Sequence, residues 1–295
     1  MSDLATGVPA GDLTAVKESI ARAVVVASTT FRPDQVRAYR RALAQESGGH
    51  ACWVLEKTLE NAEAAERTRF PLCDDTGIPH VFLEVGEGAP LPAGFLGALR
   101  AGVAEGLRTL PGRPMAVLGD DERRLTQSAG LSDDPADVLP APFQIRSVPG
   151  DMVRVSVLMY GGGPEIRGKT QRVFHRHSMD VIVDEMVAWA GDGALKLGCT
   201  PATLAFGIGR SQVEASSLSL EAMKDADFDY QSPLEQRITD AVNATNVGPL
   251  GLGGRTTVMG TFVKVGPQRA SGIRVVSLRV GCCFDPRRAS VVFAG

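Results

Sequence analysis

The sequence predicts a mixed α/β fold, with a helical N-terminal part over about residues 1–70 and an α/β part over about residues 71–295 that carries the sheet. Apolar residues recur at three- and four-residue spacing in the first part, whereas short alternating or continuously apolar runs dominate the second. With 295 residues and 44% hydrophobic side chains, the chain is long enough to bury an ordinary globular core. We predict a single domain over residues 1–295.

Three amphipathic helices are predicted in the N-terminal part, at 13–27, 33–45 and 51–66. Pro33 and Asp34 are typical of a helix start, and the pair Gly48–Gly49 separates the second helix from the third. The α/β part then carries predicted strands at 80–85, 153–159, 203–208, 256–265, 273–280 and 290–293, and predicted helices at 94–107, 179–189, 216–226 and 233–242.

One long stretch shows neither the helical nor the strand periodicity of apolar residues. Residues 112–142 hold several Pro and Asp residues and are predicted to form an irregular excursion or a mobile loop.

Composition narrows the class of function. The net charge of -3 and the lack of a long Lys/Arg run argue against a nucleic-acid partner and favour a small metabolite. No apolar stretch approaches the roughly 20 residues that span a bilayer, and the N-terminus has no basic region followed by an apolar one. We therefore predict a cytoplasmic protein that does not enter a membrane.

Five cysteines are spread along the chain: Cys52, Cys73, Cys199, Cys282 and Cys283. An odd number in a chain that looks intracellular argues against disulfides. No C-x-x-C pair occurs, so a metal site would have to be assembled from distant segments. Each cysteine taken alone is more simply explained as a small buried apolar residue.

Three cysteine segments lie at the predicted ends of helices or strands. Cys73 lies in PLCDDTG, which concentrates a thiol, two carboxylates and a hydroxyl on one turn; the same residues also suit a purely structural turn. Cys199 lies in GCTPAT, and Cys282–Cys283 precede FDPRR. Side chains at the ends of strands can converge from distant parts of a chain, which favours a shared site.

Several ordered motifs resemble one family. LENAE at Leu59–Glu63, PLCDDTG and HVFLEVG resemble the class I fumarases and the α subunits of L-tartrate dehydratases. IRSVPGDMV followed by GGGPE, then GCTPATLAFGIG and GPLGLGGRTT, resemble later motifs of the same family, in the same order from about residue 55 to 290. The resemblance implies an α-subunit-like fold and a hydro-lyase that acts on a small hydroxy di- or related carboxylic acid.

The resemblance also implies a [4Fe-4S] cluster held by three cysteines. It places the ligands at Cys73, Cys199 and Cys283, since Arg287 follows Cys283 by four residues as in the family pattern; Cys282 is the alternative. Three thiolates leave one iron with an open position, which would act as a Lewis acid on the substrate.

The resemblance further suggests roles for other residues. Asp75 is the candidate catalytic residue, as the base or as the group that positions a partner-chain hydroxyl. Gly161, Gly162 and Gly163 would present backbone N–H groups to a substrate carboxylate. Arg255 would bind a carboxylate in bidentate fashion, or form an ordinary ion pair.

Departures from the family bear on the substrate. Asp74 stands where the family has Gln, Arg210 where it has Gly, Arg269 where it has His, and Pro164 where it has Ser. The first three are candidate substrate-binding residues: the two arginines could offset the added carboxylate and admit a differently shaped acid. They could equally mean that the ordinary dehydration has been lost.

The resemblance is to the split form of the enzyme, in which a separate β-type subunit supplies further groups. We therefore expect an α/β assembly; the alternative is a self-contained homodimer in which residues 112–142 cover the site. A different class of function also stays open, a non-catalytic or redirected structural or regulatory relative of the α subunit.

Overall fold

The computed structural model describes residues 4–294. The chain divides into two compact units: the first comprises the residues up to Thr30, Glu63–Tyr160 and the residues from Arg287 on, and the second comprises Phe31–Ala62 and Gly161–Pro286. A compact unit is not by itself a domain that folds alone, so the single domain stays a prediction.

The described helices are α1 (Leu13–Thr29), α2 (Pro33–Gln45), α3 (Gly49–Thr68), α4 (Phe95–Thr109), α5 (Asp121–Thr126), α6 (Gly162–Glu165), α7 (Met179–Leu197), α8 (Gln212–Asp225) and α9 (Pro233–Asn243). The described strands are β1 (Ala5–Pro9), β2 (Ile78–Gly86), β3 (Gln144–Val148), β4 (Met152–Tyr160), β5 (Lys169–Phe174), β6 (Ala202–Gly209), β7 (Val258–Val265), β8 (Ile273–Gly281) and β9 (Arg287–Ala294). None of the helices within residues 4–294 has the length and apolarity that a membrane crossing requires.

The first unit is a five-stranded sheet covered by two helices. Its strand order is β1-β9-β4-β2-β3, with β4 antiparallel to both β2 and β9, and with β1 and β3 parallel to their neighbours at the edges. Apolar side chains of α1 and α4 pack on alternate residues of the central strands and form one core. The strands β2 and β9 therefore lie on either side of β4. In sequence, each of them borders a segment that carries predicted site residues.

Two glycines allow α1 and α4 to approach closely. A Cβ at Gly102 would lie 2.6 Å from the Lys17 carbonyl oxygen, and one at Gly106 would lie 2.6 Å from Cβ of Val24. A larger residue at either position would separate the helices, because packed backbone and β-branched side chains cannot yield. Glycine lowers helix propensity at these two positions, and the close packing of the helices requires it there.

The second unit is a four-stranded sheet with helices on both faces. Its order is β5-β8-β6-β7, and all eight residues of β6 are buried. Side chains of α7 and α9 pack with Leu204, Phe206 and Ile208 on one face. Helix α8 covers the other, where a Cβ at Gly207 would lie 2.1 Å from the Ala215 carbonyl oxygen. Covering both faces explains why β6 is continuously apolar rather than alternating.

The stretch 112–142 is irregular, as predicted, but it is tied to its surroundings. It contains α5 and one turn of 3₁₀ helix at Pro135–Val138. Arg108 of α4 donates to both carboxylate oxygens of Asp134, at 3.1 and 2.8 Å, and Ala141 N donates to the Pro79 carbonyl at 2.9 Å. Hydrogen bonds therefore anchor this stretch to α4 and to β2.

The predicted mixed α/β class, with helices first and sheets later, is confirmed, and α2 has the predicted bounds. The sequence missed β1, β3 and β5, each of which lies at the edge of its sheet.

Candidate functional site

The Cys73 loop joins α3 to β2 in the first unit, and its backbone is held at two points. Leu72 is buried, and its N–H donates to the Ser28 carbonyl at the end of α1, at 2.9 Å. Arg287 Nη1 donates to the carbonyl oxygens of Asp75, at 2.7 Å, and Thr76, at 3.2 Å. Residues 72–76 thus have a defined backbone between these two anchors.

Side chains of this loop are partly open to solvent. Cys73 and Asp75 are half-buried and Asp74 is exposed. The Cys73 Sγ lies 3.6 Å from Oδ1 of Asp74, which also accepts the Asp75 N–H at 3.0 Å. A thiol and two carboxylates are therefore concentrated on one accessible turn, as the sequence predicted.

Asp74 has a cationic partner that the sequence did not reveal. Arg113 Nη1 lies 3.6 Å from its Oδ2, and both side chains are more than half exposed. An exposed pair of this kind contributes about 0–1 kcal/mol to stability, but it offsets the negative charge next to Cys73. Arg210, which the sequence suggested for this offset, instead donates to Glu214 in its own unit, at 2.7 Å.

Arg287 is the largest side chain with almost no exposure, at 2%. Replacing it by Met keeps most of the volume but leaves the carbonyl oxygens of Asp75 and Thr76 without this donor. Each charge-assisted hydrogen bond is worth about 1.5 kcal/mol, so we expect Arg287→Met to lower the free energy of unfolding by about 3 kcal/mol in urea titrations. The exposed Arg123→Met is the matched control and should change it by less than about 0.5 kcal/mol. Equal urea midpoints for the two variants would contradict this role of Arg287.

In the second unit, two predicted ligand segments lie side by side. The N–H of Cys283 donates to the carbonyl of Cys199 at 2.9 Å. Cys199 is exposed on the turn between α7 and β6, whereas Cys282 and Cys283 are buried after β8. The structure thus brings together two cysteine segments that are far apart in sequence.

The turn that follows Cys283 accepts hydrogen bonds from one face of α2 and from the residue before that helix. Tyr39 Oη donates to the Cys283 carbonyl, Gln35 Nε2 to that of Phe284 at 3.2 Å, and Arg32 Nη1 to that of Pro286 at 2.7 Å. Residues spaced by three and four lie on one helix face, so the three donors form a row. Burial raises the pKa of Tyr39 well above its usual range, which keeps its hydroxyl protonated as a donor.

The Cys199 turn is held by the segment GPLGLGGRTT. Thr200 Oγ1 donates to the Gly248 carbonyl at 2.6 Å, and the N–H of Leu250 donates to the Thr200 carbonyl at 3.0 Å. Gly248 has φ +70°, and a Cβ there would lie 2.1 Å from the backbone of Gly253. The two sequence motifs therefore form one packed structure in which only glycine fits at position 248.

The other predicted substrate-binding residues are dispersed within the second unit. Gly161 is buried at the start of the short helix α6, and Gly162 and Gly163 are exposed in its first turn. Arg255 is exposed and lines a polar cavity of about 410 Å³, which Asn243 of α9 also lines. Arg269 is exposed on the loop between β7 and β8. Their roles stay predictions.

Arg210 lies two residues before the first residue of α8. Its hydrogen bonds lower the pKa of Glu214 to about 2 and raise its own pKa. A substrate carboxylate would therefore compete with Glu214 for this guanidinium.

The donor set suits an iron–sulfur cluster in its chemistry. No disulfide joins any of the five cysteines, all of which lie in the described part of the chain. Soft thiolate ligands favour such clusters. The backbones of Cys199 and Cys283 are joined to each other by a hydrogen bond. Within residues 4–294 the structure does not itself gather three His, Cys, Asp or Glu side chains into a metal-binding group.

The choice between Cys282 and Cys283 can be made by substitution. The hydrogen bond from Cys283 to Cys199 favours Cys283, so we expect Cys283→Ser to lose iron and sulfide after anaerobic reconstitution and Cys282→Ser to keep them. Both residues are buried, so each variant controls for the packing effect of the other. The reverse pattern of iron content would make Cys282 the ligand.

Comparison with known proteins gives the class. The family model described as "Fumarate hydratase (Fumerase)" matches residues 17–292. The L(+)-tartrate dehydratase subunit alpha of Escherichia coli O157:H7 is 26% identical over 284 residues, which cover 94% of this chain and 90% of that relative. The protein of the same name from Shigella sonnei (strain Ss046) is 25% identical over 284 residues, with 94% and 90% covered.

The chain belongs to the fumarate hydratase (Fumerase) family. It is accordingly an enzyme of the hydro-lyase class, and the family supports a small carboxylic acid as its substrate. The resemblance predicted from the motifs is confirmed.

Proposed function

We propose that this chain is the α-type subunit of a hydro-lyase that uses a [4Fe-4S] cluster to add or remove water at a small hydroxycarboxylic acid. Cys73, Cys199 and Cys283 would hold the cluster. The observation that carries the proposal is the hydrogen bond between Cys283 and Cys199, which joins two of the three ligand segments. When bound through three thiolates, such a cluster supplies one iron with an open position as a Lewis acid for substrate oxygens.

Asp75 would take part in removing the substrate proton. The residue is half-buried, and its carbonyl accepts a hydrogen bond from Arg287 at 2.7 Å, so its backbone position is defined. A carboxylate held in this way can accept the proton from the carbon next to the leaving hydroxyl, or orient a hydroxyl from a partner chain that does so.

Binding of the acid would depend on the backbone of the exposed glycines and on the guanidinium groups of the chain. Gly162 and Gly163 are exposed and have no side chain to hinder a carboxylate. Asp74 already has Arg113 as a partner, at 3.6 Å, so the extra carboxylate does not exclude an anionic substrate. These features support a hydroxy acid as substrate and leave its stereochemistry to experiment.

The relatives are named as alpha subunits, which supports a separate β-type partner for this chain. The test is an anaerobic assay of the reconstituted chain, alone and with a candidate β-type chain, against L-tartrate, malate and fumarate. We expect turnover of one acid only when both chains are present. Full activity of the isolated chain would rule out the split assembly and leave the self-contained homodimer as the alternative to test. A reconstituted pair that turns over none of the acids and shows no spectral change with them would favour a redirected relative that acts on a differently shaped acid.

A further inference from the structure

A cavity of about 700 Å³ lies in the first unit and is lined by none of the predicted site residues. Its walls come from the outer side of α1, from the last turns of α4, from Arg69 in the turn after α3, and from Leu4. Its volume falls within the range of about 300–1,000 Å³ that is typical of small-molecule sites. The cavity is large enough for an organic ligand.

The floor of this cavity is apolar. Ala21, Val25 and Val26 of α1 line it and are only half-buried, although the opposite side of the same helix is packed in the core. A run from Glu18 to Val26 extends about 12 Å along a helix axis, at 1.5 Å per residue. The floor therefore suits the hydrocarbon part of a ligand of several carbons, whose burial would be favourable.

The rim carries an excess of positive charge. Lys17, Arg22 and Arg69 line the cavity with two acids, Glu18 and Glu105. Lys17 lies 3.7 Å from Glu105, which accounts for one base and one acid. Arg22 donates to the neutral Ser19 hydroxyl at 2.9 Å, so two guanidinium groups remain against a single carboxylate. An anionic group is the complementary ligand for this rim.

We propose that this cavity binds an organic monoanion with an apolar body, of the size of a medium-chain carboxylate. Its hydrocarbon would lie on Ala21 and Val25, and its carboxylate would pair with Arg69.

The site is connected to the Cys73 loop. Arg69 precedes Cys73 by four residues in the same segment. The N–H of Leu72 donates to the Ser28 carbonyl at the end of α1, which is the helix that forms the floor. A ligand that contacts both α1 and Arg69 would therefore join the helix to the segment that leads into the Cys73 loop. Binding and the order of the Cys73 loop are then coupled, and each stabilises the other.

The test uses octanoate as the probe and calorimetric titration of the full chain. We expect saturable 1:1 binding to the wild type, at least tenfold weaker binding to Arg69→Gln, and unchanged binding to the control Arg123→Gln, which removes an exposed arginine elsewhere in the same unit. Octylammonium, which has the same hydrocarbon and the opposite charge, should bind at least tenfold more weakly than octanoate. Hydrogen exchange should show slower exchange of the Leu72 amide with octanoate present.

Three results would overturn the proposal: no saturable binding of octanoate to the wild type, equal affinity of Arg69→Gln and wild type, or equal affinity for octylammonium. Ala21→Phe gives an independent check, since a ring on the floor should abolish binding while the thermal midpoint shows that the variant is folded. Binding is measured without turnover, so the hydro-lyase proposal can fail while this one stands, and the reverse.

Discussion

Cys73→Ser and Cys199→Ser are each expected to abolish retention of an iron–sulfur cluster. A cluster left with two thiolates is labile, because a serine hydroxyl is a much harder and less acidic ligand than a cysteine thiol. Iron and acid-labile sulfide, measured after anaerobic reconstitution and gel filtration, should fall from about four per chain to near background. The brown absorption should disappear with them.

Cys52→Ser is the matched control for these variants. Cys52 lies on α3, is half-buried, and belongs to none of the motifs shared with the family. It should keep its iron and sulfide. If Cys73→Ser kept wild-type iron and sulfide, the cluster would have to be assigned to other residues.

Asp75→Asn is expected to lower turnover by about 10²–10⁴-fold while the cluster is retained, since this is the range of a lost general base. The amide preserves the shape of the side chain and removes its basic oxygen. The backbone contact with Arg287 involves the Asp75 carbonyl and is unaffected by the change. The measurement is kcat under anaerobic conditions on the acid identified in the substrate screen, with iron content determined on the same sample.

Asp74→Asn controls for charge on the same turn. Asp74 is exposed and paired with Arg113, so its loss should lower turnover less than about tenfold, as expected for a surface ion pair. A variant Asp75→Asn with normal turnover would remove Asp75 from the mechanism. A larger effect at Asp74 than at Asp75 would move the catalytic role to its neighbour.

Periodicity predicted the elements that are packed on a core. The apolar spacing in 33–45 matches α2 as observed, and the alternation over 153–159 lies within β4. The missed strands, β1, β3 and β5, lie at sheet edges and expose most of their residues. An edge strand is defined by hydrogen bonds to one neighbour rather than by burial, so its own sequence carries little periodicity.

For the candidate site, the motifs located the loops but did not reveal which residues form hydrogen bonds or ion pairs with them. PLCDDTG and GCTPAT could be located from the sequence, and GPLGLGG proved to bind the Cys199 turn through Thr200. Arg113 and the donors of α2 could not be found in this way, since each acts on a segment far away in the chain. The signal available in the sequence for Gln35 and Tyr39 was their helical spacing with Ala38 and Ala42, which places polar groups on the apolar face of this helix.

The fold class, the family and the identity of the candidate chemical groups could be predicted from the sequence, because these depend on local periodicity and on residue types in short motifs. The accessibility of each group, and the partner that holds it, depend on contacts between residues that are far apart in the chain. Arg287 donates a hydrogen bond to the Asp75 carbonyl, and Arg113 forms an ion pair with Asp74. Arg210 donates to Glu214. Hydrogen bonds and ion pairs act over a few ångströms, and the distances between residues remote in sequence are set by the packing of the whole chain.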